Sequence, residues 1–192
     1  MIRGRYFAGL LALLVLHGAA QAREAAATAG MVALAPGSVQ VLFAPWDDIE
    51  GAVVAAVRAA KKQVLVQAFS FTNRPIARAL FDARARGLDV RVTADAGETE
   101  RIEAGRIPEL AAAGIPVFIE HRYQSAHNKV MVIDAGLPGA TVITGSFNWT
   151  FAAQRRNAEN VLIMRGQPQL VDRYRINWDR HQAAARPYTT SR

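Results

Sequence analysis

The chain has 192 residues and carries 23 Lys+Arg against 16 Asp+Glu, a formal net charge of +7. It contains no cysteine, which excludes disulfides, thiolate metal sites and cysteine nucleophiles. Its length suits one domain with a full core, and its basic balance favours polyanionic partners, either nucleic acid or anionic lipid headgroups.

Arg3 and Arg5, the apolar run from Phe7 to Leu16 and the small-x-small triplet Ala20-Gln21-Ala22 form the pattern of a secretory signal peptide. The apolar run is too short for a membrane-spanning helix, which needs about 20 such residues. The expectation is cleavage near Ala22, export to a bacterial periplasm or the medium, and no stable membrane anchor. Loss of Arg3 and Arg5 takes the net charge from +7 to about +5. Residues 23–37 read as a flexible lead-in, and residues 38–192 as a single domain.

Val39 to Ala44 is a short strand closed by Pro45. Asp47 and Asp48 stand where carboxylates favour a helix N-terminus, and the helix they open runs from Ile49 to Ala60. Gln63 to Phe69 is a near-continuous apolar run, typical of a strand buried on both faces. Asn73-Arg74-Pro75 supplies a cap and a first-turn proline for a helix over Pro75 to Arg86, with Gly87 as its stop. Leu88 to Ala94 is the next strand, Ile107 to Ala113 a helix ending at Gly114, and Pro116 to Glu120 another strand.

The alternation then breaks. Lys129 to Asp134 and Ala140 to Thr144 are apolar runs joined by Ala135-Gly136-Leu137-Pro138-Gly139, a hairpin loop. A short helix over Thr150 to Arg155 leads to a strand from Glu159 to Met164. Pro168 to Gln182 is an amphipathic helix offering Leu170, Val171, Tyr174, Ile176 and Trp178 for packing. The pattern predicts an α/β fold: a mixed, largely parallel central sheet with helices on both faces.

The chemistry concentrates in two short words. An alternating strand sends residues i and i+2 to the same face, so His127 and Lys129 emerge side by side. Ser146 and Asn148 repeat that spacing after the second apolar run. One imidazole, one ammonium and two short hydrogen-bonding side chains make a pocket suited to phosphate.

His127-x-Lys129-x4-Asp134 followed by Gly145-Ser146-x-Asn148 resembles the HKD motif of the phospholipase D superfamily. Ser146-Phe147-Asn148-Trp149-Thr150 and Asn157-Ala158-Glu159-Asn160-Val161 resemble its small, single-motif bacterial endonucleases. The resemblance runs from the Val39 strand to the C-terminal helix. Asp134 and Gly145 are farther apart than the family usually shows, an excess the Gly136–Gly139 turn can house.

The resemblance implies the phospholipase D/nuclease-like fold and a role for each residue. His127 is the nucleophile, forming a phosphohistidine that water later hydrolyses. Lys129 and Asn148 hold the phosphate and offset its developing charge, with Ser146 assisting or positioning its neighbours. Glu159 accepts a hydrogen bond from the imidazole and fixes its tautomer. Asp134 is read as organising its strand end rather than touching substrate.

The reaction needs two histidines, and the chain has one motif. The resemblance therefore implies a homodimer with a shared active site, in which each His127 serves as nucleophile or general acid. It implies no metal and no other cofactor. Arg122, Arg155 and Arg156 flank the motif and could follow a nucleic-acid backbone. Trp149 is read as packing, His121 and His181 as structural or surface residues, and Asp95 as a strand-end ligand group or a helix cap.

The leading expectation is an exported phosphodiesterase that cleaves DNA or RNA with little sequence preference. Phospholipid is the alternative substrate. A non-catalytic nucleic-acid-binding protein is the third reading, which the intact set of polar residues disfavours.

Overall fold

The structure, a computed structural model, describes residues 36–103 and 105–189. The expected signal peptide and most of the lead-in lie outside the described residues. Among the described residues no helix is long and apolar enough to cross a membrane.

Eight strands form one sheet in the order β1-β7-β6-β5-β2-β3-β4-β8. They are β1 (Ser38–Ala44), β2 (Gln63–Ala68), β3 (Asp89–Asp95), β4 (Val117–Glu120), β5 (Val130–Ile133), β6 (Thr141–Gly145), β7 (Glu159–Arg165) and β8 (Arg186–Pro187). The helices are α1 (Ile49–Ala59), α2 (Arg74–Ala85), α3 (Ala96–Arg101), α4 (Ile107–Ala112), α5 (Phe151–Arg155) and α6 (Pro168–Ala184). The N-caps are those the sequence supplies. Asp48 accepts from the Gly51 N–H at α1, and Asn73 from the Ile76 N–H at α2. Gly87, at φ 86°, stops α2 in a left-handed conformation.

The expectation of a largely parallel sheet is corrected. Among these strands, β2–β3 and β3–β4 pair in parallel, each joined by a helical crossover. The other pairings are antiparallel. β5 and β6 are joined by the Asp134–Ala140 turn, where Asp134 (φ 55°) and Gly136 (φ 84°) take left-handed conformations. β1 does not extend the parallel set. It pairs antiparallel with β7 at the far edge, from Ser38–Arg165 to Ala44–Glu159.

The sheet separates two cores because successive side chains on a strand point to opposite faces. Val64, Val66 and Ala68 of β2 join Val53 and Val57 of α1 and Ile76 and Leu80 of α2 on one face. Leu65 joins Val132, Val142 and Met164 on the other, beneath Val171 and Trp178 of α6. The Trp178 indole N–H donates to the Val66 carbonyl at 3.0 Å. Ile176, expected to pack, instead stays 43 % exposed. Helix α6 lies over β2, β4, β5 and β6. Toward β1 the same face carries exposed Val39, Val41, Phe43 and Leu162.

These connections bring the C-terminal ends of β2, β3, β4 and β6 to one edge of the sheet. The N-terminal ends of β5 and β7 meet them there, because those strands run antiparallel to their neighbours.

Candidate active site

His127 and Lys129 lead into β5 at this edge, but their environments differ. His127 is exposed, whereas Lys129 is 5 % exposed. The imidazole packs against Phe69, with ring centroids 4.4 Å apart. The Lys129 ammonium lies 4.6 Å from the centroid of the same ring and donates to the His127 carbonyl at 2.6 Å. Among the described residues no carboxylate lies within ion-pairing distance of it. Burial pushes the Lys129 pKa below the ordinary lysine value, while the charges of Glu159, Glu98 and Asp95 partly oppose the shift.

Gly145 ends β6 where the strand passes close to β7. A Cβ there would overlap the Asn160 carbonyl, so only glycine allows the approach. That approach sets Ser146 beside Glu159. The Ser146 hydroxyl donates to the Glu159 carboxylate at 2.5 Å and accepts from the Asn160 N–H at 3.1 Å. The second carboxylate oxygen accepts from the Asn157 side-chain amide at 2.9 Å. Glu159 is thus held by Ser146 and Asn157. The expected hydrogen bond to the imidazole is not among its contacts with the described residues.

The Asn148 side-chain oxygen is buried and has no hydrogen-bond partner among the described residues. Its amide therefore keeps bonding capacity of the kind a bound group or water normally satisfies.

Asp134 sits at the other end of β5. Its carboxylate accepts the backbone N–H groups of Lys61, Lys62 and Gln63 at 2.7–2.9 Å, fixing the start of β2. Arg155 is exposed on α5 and lines a surface cleft with Glu50, Pro75 and Phe151, while Arg156 lies over the Phe151 ring. Trp149 is buried, its indole N–H donating to the Gln67 carbonyl at 3.0 Å. His181 pairs with Glu120 at 2.5 Å and faces Tyr123, a structural pairing, and His121 is exposed.

Sequence reasoning missed three neighbours of the motif: Phe69, Ser70 and Glu98. It left Asp95 between two roles, and the structure gives it the cap. One Asp95 oxygen accepts the Glu98 N–H at 2.8 Å at the start of α3, and the other accepts the Ala126 N–H at 2.7 Å. Glu98 is buried and takes hydrogen bonds from Ser70 and Arg101. Burial acts to raise its pKa. The bonds from Ser70 and Arg101 and the charges of Arg101 and His127 outweigh it, holding Glu98 below the usual glutamate value. Among the described residues no group of three or more His, Asp and Glu side chains converges as metal ligands would.

Residues 53–181, which contain His127, Lys129, Ser146, Asn148 and Glu159, match the family described as "Cardiolipin synthase, PLD-like domain". Phospholipase D of Rickettsia conorii is 35 % identical over 151 residues, covering 79 % of this chain and 72 % of that protein. Mitochondrial cardiolipin hydrolase of Danio rerio is 39 % identical over 106 residues, covering 54 % of this chain and 43 % of that protein. Among solved structures, Nuc of Salmonella typhimurium, a phospholipase D family member, superposes with a TM-score of 0.70 at 32 % identity. It matches over 80 % of this chain and 99 % of its own. NucT of Helicobacter pylori superposes at 0.72 and 20 % identity, over 79 % and 99 % of the two chains, a likeness of fold. With its histidine, lysine and asparagine gathered at one sheet edge inside the matched segment, the chain belongs to the phospholipase D superfamily.

Proposed function

We propose that this chain is a metal-independent phosphodiesterase that cleaves nucleic acid through a covalent phosphohistidine. The observation that carries the reading is Lys129, a buried ammonium with no carboxylate at ion-pairing distance among the described residues, beside an exposed imidazole. Burying an unpaired charge is costly, and a phosphate oxygen in the pocket supplies the missing counter-charge.

In the proposed reaction a His127 ring nitrogen attacks phosphorus as the bond to the leaving oxygen breaks. His127 of the partner subunit gives its proton to that oxygen. Water then attacks the phosphohistidine, the P–N bond breaks, and the partner's imidazole takes the water's proton. Lys129 and Asn148 hold the non-bridging oxygens, where charge builds in the transition state. Glu159, fixed by Ser146 and Asn157, keeps a negative charge near Lys129. Arg155 lies away from the pocket and is assigned to a longer strand's backbone.

The homodimer is supported by the open face around Val39, Val41, Phe43 and Leu162. It borders the half-site, since Phe43 is paired with Asn160, which hydrogen-bonds Ser146. Nucleic acid is favoured by the basic charge and by the similarity to Nuc over nearly all of that chain. The relatives named phospholipase D and cardiolipin hydrolase support the second reading, a phospholipid substrate. An exported location follows the leader-like N-terminus.

The test is incubation of the purified chain with plasmid, single-stranded DNA, RNA and cardiolipin vesicles, all in excess EDTA. Strand cleavage that disappears in His127→Ala is expected. Headgroup release without strand cleavage favours the lipid reading, and no turnover of any substrate between pH 5 and 8 defeats both.

A further inference from the structure

A chain of contacts runs from the residue before His127 round to the ring packed on its imidazole, through residues outside the motif. Ala126, the residue before His127, gives its N–H to one oxygen of Asp95. The other Asp95 oxygen receives the N–H of Glu98. The Glu98 carboxylate receives the hydroxyl of Ser70. Ser70 follows Phe69, whose ring packs on the imidazole. Asp95, Glu98 and Ser70 are each less than 9 % exposed. Glu98 and Phe69 also line one small enclosed cavity.

The geometry points to Asp95 and Glu98 as positioning residues for His127: Asp95 fixes the backbone entering the histidine, and Glu98 ties that anchor through Ser70 to the segment whose Phe69 ring packs on the imidazole. This rests on the reading of His127 as the reacting group.

The assignment fits the hydrogen bonds of the site. Glu159 is turned toward Ser146 and Asn157, so the imidazole lacks the carboxylate contact expected from it. Glu98 holds a negative charge in a site shielded from water, where it acts on both His127 and Lys129. The charged groups of the neighbourhood are Glu98 of α3, Asp95 of β3, Glu159 of β7 and Lys129 beside the imidazole itself. Arg101 lies on the outer side of Glu98, with its side chain 72 % exposed. A misplacement of the attacking group by about 1 Å costs on the order of 100-fold in rate, which is the scale on which such a clamp acts.

The experiment compares wild type, Glu98→Gln, Asp95→Asn and His127→Ala with bis(4-nitrophenyl) phosphate and single-stranded DNA from pH 4.5 to 9. Glu98→Gln keeps an acceptor for Ser70 and removes only the charge. It is expected to lower kcat at pH 7 about 10-fold with KM within about twofold, because positioning acts on the transition state rather than on binding. Asp95→Asn, which weakens the anchor on the Ala126 N–H, is expected to lower kcat with KM likewise nearly unchanged. A Glu98→Gln profile that superposes on wild type overturns the inference, provided His127→Ala is inactive. Activity in His127→Ala overturns the underlying reading instead. If Asp95→Asn does not fold, Glu98→Gln alone decides.

Discussion

Lys129 and Asp134 flank the same strand, β5, roughly 16 Å apart at about 3.3 Å per residue. One faces the candidate site, and the other holds three backbone N–H groups at the start of β2. Two letters of a single motif therefore do different work. Asp134 ties the end of β5 to the start of β2, the strand whose far end leads into Phe69 beside His127.

The first prediction follows from that separation. Loss of the Asp134 carboxylate costs about 1–3 kcal/mol, which for a chain of this size lowers Tm by roughly 3–10 °C. Asp134→Asn is expected to be milder than Asp134→Ala, because asparagine tolerates the φ of 55° at this position. Thermal melts measure the loss. Per folded molecule, kcat at 25 °C is expected to stay within about twofold of wild type. A much larger loss of kcat in a well-folded Asp134→Asn protein would place the residue in the chemistry.

Much of this arrangement is legible in the sequence, and the illegible parts have physical causes. The Gln63–Phe69 run, the Asn73-Arg74-Pro75 helix start and the 136–139 turn act locally, and each appears where its residues direct. The direction of β1 does not, because it depends on pairing with β7 more than a hundred residues away. Helix α3 is too short to show a periodic apolar face, and β8 has only two residues. Glu98 was invisible for the same reason: its meaning comes from Ser70, 28 residues earlier, and from Asp95, which the fold places beneath Ala126. His127, Lys129, Ser146 and Asn148 were readable because their i, i+2 spacings survive as strand-end geometry.

The second prediction concerns Lys129. Its pKa is lower in the fold than in the unfolded chain, so at neutral pH the buried ammonium opposes folding. That opposition is relieved as pH rises past the folded value. Lys129→Met keeps the stem against Phe69 and removes the charge. It is expected to raise Tm at pH 7 while lowering kcat/KM by about 1,000-fold. Inorganic phosphate is expected to raise the wild-type Tm and leave Lys129→Met unmoved, because only the ammonium rewards the anion. Equal phosphate shifts in both proteins would remove Lys129 from the binding site.

The third prediction is the acid response of Glu98. Its folded pKa lies below the unfolded value, so it contributes stability that is fully present above about pH 4.3. That stability is lost as pH falls through the folded value. Glu98→Gln is expected to be less stable than wild type at pH 6, with the gap closing as the pH approaches 3. Melting curves across that range provide the check, and a gap independent of pH contradicts it.

The last prediction concerns the open face of the sheet. Val39, Val41 and Phe43 of β1 and Leu162 of β7 are 37–50 % exposed, on the sheet face that α6 covers elsewhere. Contiguous apolar patches on a chain surface mark interaction sites more often than scattered residues do. If a second copy covers this patch, one exposed apolar residue replaced by a charge separates the copies while leaving each fold intact. Leu162→Asp is expected to sediment as a monomer at micromolar concentration, and wild type as a dimer. Its melting curve stays cooperative, because Leu162 is outside both cores. Its activity is expected to fall with the loss of the dimer, since a monomer holds one His127 and the proposed reaction uses two. Mixing Leu162→Asp with wild type keeps these effects separate from misfolding, because a folded monomer leaves wild-type dimers active. A Leu162→Asp monomer with wild-type turnover would mean that one His127 completes the reaction unaided.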